Sequence, residues 1–179
     1  MDAQPQADLD VERPLANAYW VIPGRVLAGE HPAVNDPAES RARLSRLHDA
    51  GIDSFIDLTE KGEMPAYRHL LPKKTRYLRS PIVDTRVPNN VAQTREILAS
   101  IKAGMGSGNC LYVHCRAGIG RTGLIIGCFL ADQEANGASA LKILNRLWRQ
   151  SDRAKTWPTV PQTAEQADYI RHWSILGKL

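Results

Sequence analysis

A cysteine and an arginine lie six positions apart in the stretch VHCRAGIGRTG, which runs from Val113 to Gly123. A cysteine thiolate is a strong nucleophile, and the planar guanidinium of an arginine matches two oxygens of a phosphate group. Cys115 and Arg121 could therefore attack and hold the same phosphoryl group. This chemistry needs elements of the fold that bring both side chains to one bound anion.

The residues on either side of the stretch predict a strand followed by a helix. NCLYVH, residues 109–114, is an apolar run of buried-strand length, and residues 121–137 predict an apolar helix capped by Asn136-Gly137. Cys115 then lies between the two elements, where the free amides and positive partial charge of a helix N-terminus favour an anion and a thiolate. Three glycines let successive N–H groups point inward: Gly118, Gly120 and Gly123.

This glycine-rich turn fits a nucleotide site poorly. It lacks the lysine of a nucleotide-binding P-loop, GxxxxGK[ST], and the GxGxxG pattern of a dinucleotide site. A buried structural role is usual for a lone cysteine, but Arg121 and the glycines before it favour an anion site instead. On these residues alone, a phosphate-binding loop without chemistry stays open.

The rest of the chain alternates predicted strands and helices. We expect two short strands around Pro23-Gly24 and a helix that begins after Asp36 with Pro37 in its first turn. The other predicted strands and helices are strands in 52–59 and 75–84 and helices over 91–104, 139–150 and 162–176. This order predicts a single α/β domain with a mainly parallel central sheet flanked by helices. Residues 1–15 lack periodicity and are expected to form a flexible arm.

Composition excludes several classes of protein. With 43% hydrophobic residues and a net charge of +4, the chain is an ordinary globular domain without the strong basic excess of a nucleic-acid-binding protein. The three cysteines lack CxxC spacing, which argues against a disulfide framework and a thiolate metal site. The sequence contains no membrane-spanning apolar run and no signal-peptide pattern, so a cytoplasmic location without membrane insertion is expected.

HCRAGIGRTG resembles the HCxxGxxR[ST] signature of the cysteine-dependent protein tyrosine phosphatase superfamily. The matching positions are His114, Cys115, Gly118, Arg121 and Thr122. The resemblance implies a transfer in two steps, without metal or cofactor, through a phosphocysteine at Cys115. It further implies that Arg121 holds the phosphoryl oxygens, that Thr122 bonds the sulfur and helps it leave, and that buried His114 tunes the loop. The predicted phosphate-binding set is Arg116, Ala117, Gly118, Ile119, Gly120 and Arg121.

Ester cleavage also needs a proton donor for the leaving oxygen, and a carboxylic acid on a mobile loop suits that task. Asp84, in SPIVDTRVP, is 31 residues before Cys115, which resembles the acid-loop spacing of compact dual-specificity phosphatases. The alternative is a strand-end aspartate that caps a turn. Asp57 also lies at a strand end, but its position resembles no acid loop.

Two glutamines near the C-terminus form a second resemblance. Gln162 and Gln166, in QTAEQADYI, resemble the QTxxQ element that positions the hydrolytic water in larger tyrosine phosphatases. Four residues apart at the start of the last predicted helix, they could present both amides on one face. Simple polarity at a helix start accounts for them equally well.

The chain lacks the KNRY-type phosphotyrosine loop of the long tyrosine phosphatases, so the resemblance points to the compact dual-specificity-like group, with residues 16–179 as the phosphatase domain.

Candidate rim residues are Lys61, Tyr67, Arg86 and Arg116, although packing is the more usual role for Tyr67. Apolar Ile119 favours a phosphoprotein over an inositol phosphate, since phosphoinositide-type loops tend to be basic at that position as well as at Arg116.

The leading hypothesis is a phosphatase of phosphotyrosine, with phosphoserine and phosphothreonine as further candidate substrates. The second is an inositol polyphosphate or phosphoinositide phosphatase with the same mechanism. A phosphate-binding module that keeps the fold without activity is disfavoured, because nucleophile, arginine, hydroxyl and acid occur together. A rhodanese-type fold with a C-x5-R loop is weaker still, since such loops usually lack this glycine pattern. The partner is in each case a phosphorylated protein or small molecule.

Overall fold

The computed structural model describes residues 11–134 and 136–177. A five-stranded sheet with the order β1-β2-β5-β3-β4 forms its centre. Its strands are β1 (Ala18–Ile22), β2 (Val26–Gly29), β3 (Ser54–Asp57), β4 (Arg76–Arg79) and β5 (Leu111–His114). β1 pairs antiparallel with β2, and every other pair is parallel. The predicted α/β fold with a mainly parallel sheet is confirmed.

In the described part of the chain, five α-helices cover the two faces of this sheet. They are α1 (Pro37–Asp49), α2 (Val91–Gly106), α3 (Arg121–Glu134), α4 (Gly137–Trp148) and α5 (Ala164–Leu176), with short 3-10 turns at Arg68–Leu70 and Asp152–Lys155. Leu44 and Leu47 of α1 pack with Phe55 and Tyr112 on one face. On the opposite face, α2, α4 and α5 pack around α3 and share one large apolar core with the sheet. Burial on both faces explains why the parallel strands read as apolar runs.

Side-chain caps fix where several helices begin. Asp36 accepts a hydrogen bond from the Ala38 amide and Pro37 occupies the first turn, as predicted for α1. The last helix begins at Ala164 rather than at Gln162, because Thr163 is its N-cap and forms a capping box with Gln166. The prediction of a helix over 162–176 was therefore wrong by two residues at its start.

The pair Asn136-Gly137 begins α4 instead of ending α3. Asn136 accepts hydrogen bonds from the amides of Ala138 and Ser139, which makes it the N-cap of α4. Gly137 is buried, and a Cβ there would lie 2.3 Å from the carbonyl oxygen of Ile170 in α5. The predicted C-terminal cap was wrong because this glycine serves a close contact between two helices, a role that no local pattern reveals.

Of the predicted N-terminal arm, residues 1–15, the structure describes only residues 11–15. Residues 1–10 lie outside the described residues. Leu15 is buried, and the Trp20 indole donates a hydrogen bond to the carbonyl of Glu12. Among the residues that the structure describes, no helix is long and apolar enough to cross a membrane.

Candidate active site

The cysteine loop joins the end of β5 to the start of α3 at the carboxyl edge of the sheet. Cys115 is buried with 2% of its surface exposed, and Arg121 is the first residue of α3. Gly118 has a φ of +76°, and a Cβ there would lie 2.6 Å from the carbonyl carbon of Gly29. Both the backbone conformation and the close approach of β2 therefore require a glycine at position 118. The prediction of a strand-to-helix turn at Cys115 is confirmed.

The carbonyls of this loop bond to the surrounding protein. The amide of His31 donates to the carbonyl of Arg116 at 3.0 Å, and Arg153 Nη1 donates to the carbonyl of Ala117 at 2.5 Å. Within 11–134 and 136–177, the backbone N–H groups of residues 116–120 donate to no protein acceptor. Residues 118–120 are buried. Because buried N–H groups are rarely left unpaired, this row of amides suits an anion bound beside Cys115.

The Arg121 side chain is buried and is held by a carboxylate that sequence reasoning missed. Glu63 accepts hydrogen bonds from Nη1 at 2.8 Å and from Nη2 at 2.6 Å, and the carbonyl of Ile82 accepts from Nη1 at 3.1 Å. Burial by itself would lower the pKa of Arg121, but the bonds to Glu63 and the nearby charges of Cys115 and Asp84 raise it. The same bonds hold the pKa of Glu63 below its ordinary value, against the effect of burial. Nε of Arg121 is buried without a partner in the described part of the chain.

Asp84 lies over the same loop. Its carboxylate bonds to Arg116 and is 3.1 Å from Nη2 of Arg121. It also accepts from the amide of Thr85, a residue with the unusual φ of 66°. Asp84 thus caps a turn and also lies at the cysteine loop, as the acid hypothesis requires.

Thr122 follows Arg121 in the first turn of α3 and is fully buried. Its hydroxyl donates to the carbonyl of Gly29 at a long 3.5 Å. Among the described residues, no hydrogen bond joins this hydroxyl to the sulfur of Cys115, so the bond to the sulfur that the resemblance implied is not formed here.

His114 and Tyr67 form a buried pair beneath the loop. Nε2 of His114 and the Tyr67 hydroxyl are 2.5 Å apart, and Nδ1 faces the carbonyl of Cys115 at 3.3 Å. Burial lowers the pKa of His114 to about 3, although the charge of Asp57 opposes the shift. The imidazole is therefore neutral near pH 7. Tyr67 is buried, so its proposed place on the rim was wrong and its packing role is correct.

In the described part of the chain, one group of side chains has the spacing of a metal site. It consists of His31, Asp57 and His114, with one donor atom of each within 4.8 Å of the others. Both Asp57 oxygens are already used, by the amide and hydroxyl of Thr59 and by Tyr77 and Arg79. Burial would raise the pKa of Asp57, but His114 and these hydrogen bonds lower it instead. The cluster is a hydrogen-bonded support beneath the loop, and its donors fit a metal poorly.

The two glutamines occupy different positions from those expected. Gln166 is buried, and its Oε1 accepts from the amides of Gln162 and Thr163 while its Nε2 donates to the carbonyl of Arg86 at 3.0 Å. Gln162 precedes α5, and its Oε1 lies 2.9 Å from where a Cβ at Gly120 would be. Nε2 of Gln166 lies 3.2 Å from the same position, so both glutamines adjoin the cysteine loop. Of these two amides, that of Gln162 makes no hydrogen bond among the described residues, and the two side chains do not share a helix face.

The remaining rim candidates are exposed. Arg116 and Arg86 have half or more of their side chains in solvent, and Lys61 is exposed as well. Ile119 is nearly buried and packs into the main core. Arg153 is a further residue that sequence reasoning missed. Its guanidinium donates to the carbonyl of Ala117 and, at 2.9 Å, to a carboxylate oxygen of Glu30. No local signal marks Arg153 or Glu63, because their partners are far away in the sequence.

The fold and this loop define a cysteine-dependent phosphatase domain of the dual-specificity type. Residues 15–166 match the family described as PTP-SAK: Swiss Army Knife protein, DSP-PTPase phosphatase domain. The chain belongs to this family, which confirms the predicted superfamily and group.

Two viral proteins are similar in sequence. Putative tyrosine phosphatase 067L of Invertebrate iridescent virus 3 is 38% identical over 119 residues, which are 64% of this chain and 45% of that protein. Putative tyrosine phosphatase 197R of Invertebrate iridescent virus 6 is 28% identical over 129 residues, 70% of this chain and 44% of that protein. The chain thus spans less than half the length of these curated relatives.

Several solved structures share the fold. The crystal structure of Tk-PTP in the active form has a TM-score of 0.72 at 24% identity and covers 89% of this chain and 97% of that one. PTPMT1 in complex with PI(5)P has a TM-score of 0.67 at 20% identity, with 88% and 94% covered. Human DUSP28 has a TM-score of 0.66 at 14% identity, with 94% and 98% covered. These similarities confirm the predicted dual-specificity-like fold.

Proposed function

We propose that this chain hydrolyses phosphate monoesters on proteins, phosphotyrosine first, through a phosphocysteine at Cys115. One observation supports this most: the N–H groups of residues 116–120 and Nε of Arg121 find no protein acceptor in the described chain, and these residues directly follow a buried cysteine. A tetrahedral phosphoryl group supplies the oxygens that these donors need.

Substrate binding displaces the carboxylate of Asp84 from Arg121. The Asp84 oxygen that is 3.1 Å from Nη2 of Arg121 competes with a phosphate oxygen for the same donor. Glu63 keeps the guanidinium in place during this exchange, because it holds both terminal nitrogens. The arginine is therefore positioned before the substrate arrives, which lowers the cost of ordering the transition state.

In the first chemical step the Cys115 thiolate attacks phosphorus, an S–P bond forms and the P–O bond to the substrate breaks. The leaving oxygen takes a proton from the carboxylic acid of Asp84. In the second step water attacks phosphorus, gives its proton to the Asp84 carboxylate and releases phosphate and the thiolate. We assign the orientation of that water to Gln162, and its position against Gly120 supports this assignment. Thr122 stabilises the departing thiolate once its hydroxyl turns from Gly29 to the sulfur.

The neutral His114 supports these steps without exchanging protons with the substrate. Its two ring nitrogens bond to the Cys115 carbonyl and to Tyr67, so neither nitrogen is free to exchange a proton with the substrate. With the carbonyl of Cys115 engaged on the protein side, the loop amides remain directed toward the phosphate.

A phosphoinositide or inositol phosphate is the second candidate substrate. The exposed guanidinium of Arg116 and the nearby exposed Arg86 favour ligands with more than one phosphate. Ile119 contributes no charge to the loop and favours a phosphoprotein. A cytoplasmic location also stays a prediction.

Phosphate release from p-nitrophenyl phosphate in the presence of a metal chelator tests the mechanism. Cys115→Ser should abolish turnover while keeping affinity for inorganic phosphate. Asp84→Asn should slow phenyl phosphate, which has a poor leaving group, far more than p-nitrophenyl phosphate, whose leaving oxygen needs little protonation. Full activity of Cys115→Ser would falsify the mechanism. A panel of phosphotyrosine, phosphoserine and inositol phosphate substrates under one set of conditions separates the two substrate classes.

A further inference from the structure

A strongly basic surface lies away from the cysteine loop. The segment from Arg68 to Arg79, RHLLPKKTRYLR, contains five arginines and lysines and no acidic residue. Arg79 pairs with Asp57, but the other four cations are exposed and form no ion pair with any residue in the described chain. Such a concentration of unpaired charge on one segment costs stability through self-repulsion, and it attracts an acidic partner.

A cavity of about 370 Å³ adjoins this segment between α1 and the start of β4. Its apolar lining comes from Leu44, Ile52, Phe55, Leu70 and Leu71, and its entrance is bordered by exposed Arg41 and His48. Pro72 and Thr75 also line the cavity, and Lys73 and Lys74 lie between them in the sequence. An apolar pocket with a cationic border fits a large apolar side chain flanked by carboxylates.

The sheet edge adds a third feature. β4 is the outer strand, so it pairs with β3 on one side only within the described residues. Leu78 in this strand is 40% exposed. An extended peptide can pair with such an edge, which favours a polypeptide over a lipid surface as the partner.

We propose that the cavity and the exposed cations of 68–76, together the basic docking surface, bind an acidic segment with one large apolar side chain in the phosphoprotein substrate. This inference rests on the proposed function and adds a binding site remote from the chemistry. β3 and β5 are in register from Ser54 and Leu111, so Cys115 lies about six residues beyond Ile52 along the strands, on the order of 20 Å. About six extended residues should therefore separate the acidic segment from the phosphorylated residue.

The test uses phosphotyrosine peptides that carry an acidic segment with one tryptophan, placed two or six residues from the phosphotyrosine. With the six-residue spacing, kcat/KM should exceed that of the bare phosphopeptide by about tenfold at low salt, and the gain should fall as salt rises. Lys73→Glu/Lys74→Glu should remove the gain while leaving p-nitrophenyl phosphate turnover unchanged. Ser45→Trp, which fills the cavity and keeps the charge, should remove part of it.

The matched control is Lys142→Glu/Arg149→Glu, which reverses two exposed charges in α4 and at its C-cap. If this control loses the gain equally, or if Lys73→Glu/Lys74→Glu keeps it, the docking surface is disproved. Binding to vesicles rich in anionic lipid without any gain for the peptides overturns it in favour of a membrane. The fluorescence anisotropy of the labelled, unphosphorylated acidic segment with the Cys115→Ser variant measures docking without turnover. Because this binding measurement needs no catalysis, it tests the docking surface even if the proposed phosphatase activity is absent.

Discussion

Glu63→Gln should reduce catalysis more than its place outside the signature suggests. The substitution removes a carboxylate that is 13% exposed and accepts two charged hydrogen bonds from a guanidinium that is 1% exposed. Removing one partner of a fully buried pair costs about 3–5 kcal/mol. Because the Ile82 carbonyl still accepts a hydrogen bond from Arg121, we expect a loss of about 2–3 kcal/mol in transition-state stabilisation, or about 30- to 150-fold in kcat/KM.

The assay measures kcat and KM for p-nitrophenyl phosphate together with the inhibition constant of vanadate, and the matched control is Glu60→Gln in the same loop, an exposed residue. A loss confined to kcat with vanadate affinity reduced in parallel supports a role in placing Arg121. A melting temperature lowered without any change in either constant would show that Glu63 is only structural. Activity within about twofold of the wild type would refute the reasoning about the Arg121 position.

Three further outcomes follow from the loop and its supports. Arg153→Ala should lower kcat/KM about tenfold by freeing a loop carbonyl, whereas Arg149→Ala, an exposed residue at the end of α4, should not. Gly118→Ala should abolish vanadate binding because of its positive φ and the contact with β2, while Gly106→Ala, with open space around it, should leave binding intact. His114 should contribute a fall of about 1.4 kcal/mol per pH unit to the free energy of unfolding as pH drops below about 6.5, because the unfolded chain takes up a proton that buried His114 accepts only at about 3. Urea unfolding at several pH values measures this slope, and an equal slope in His114→Asn would contradict the assignment.

The sequence was sufficient where the information is local. The apolar strand before Cys115, the glycines after it and the N-cap at Asp36 each depend on neighbours within a few residues, and the structure contains all of these elements. The Asn136-Gly137 pair shows the limit of such local patterns, because the same two residues serve equally well at either end of a helix.

The residues that support the site could not be predicted, since their partners are distant. Glu63 is 58 positions from Arg121, and Arg153 is 36 positions from Ala117. An acidic residue in a loop or an arginine after a helix is ordinary as a pattern. Each one gains its role only when the parallel strands bring their carboxyl ends to one edge of the sheet.

The ion pairs of Asp84 have a consequence for inhibition by the product. A carboxylate that already bonds to Arg116 and Arg121 competes with any free anion, so the apparent affinity for inorganic phosphate is reduced by the fraction of molecules in which Asp84 occupies these donors. A phosphoprotein substrate of the proposed kind would gain additional contacts outside the loop and overcome this competition, whereas free phosphate would not. Under the proposed function, the phosphate released in a turnover should therefore dissociate readily, and free phosphate should inhibit only weakly.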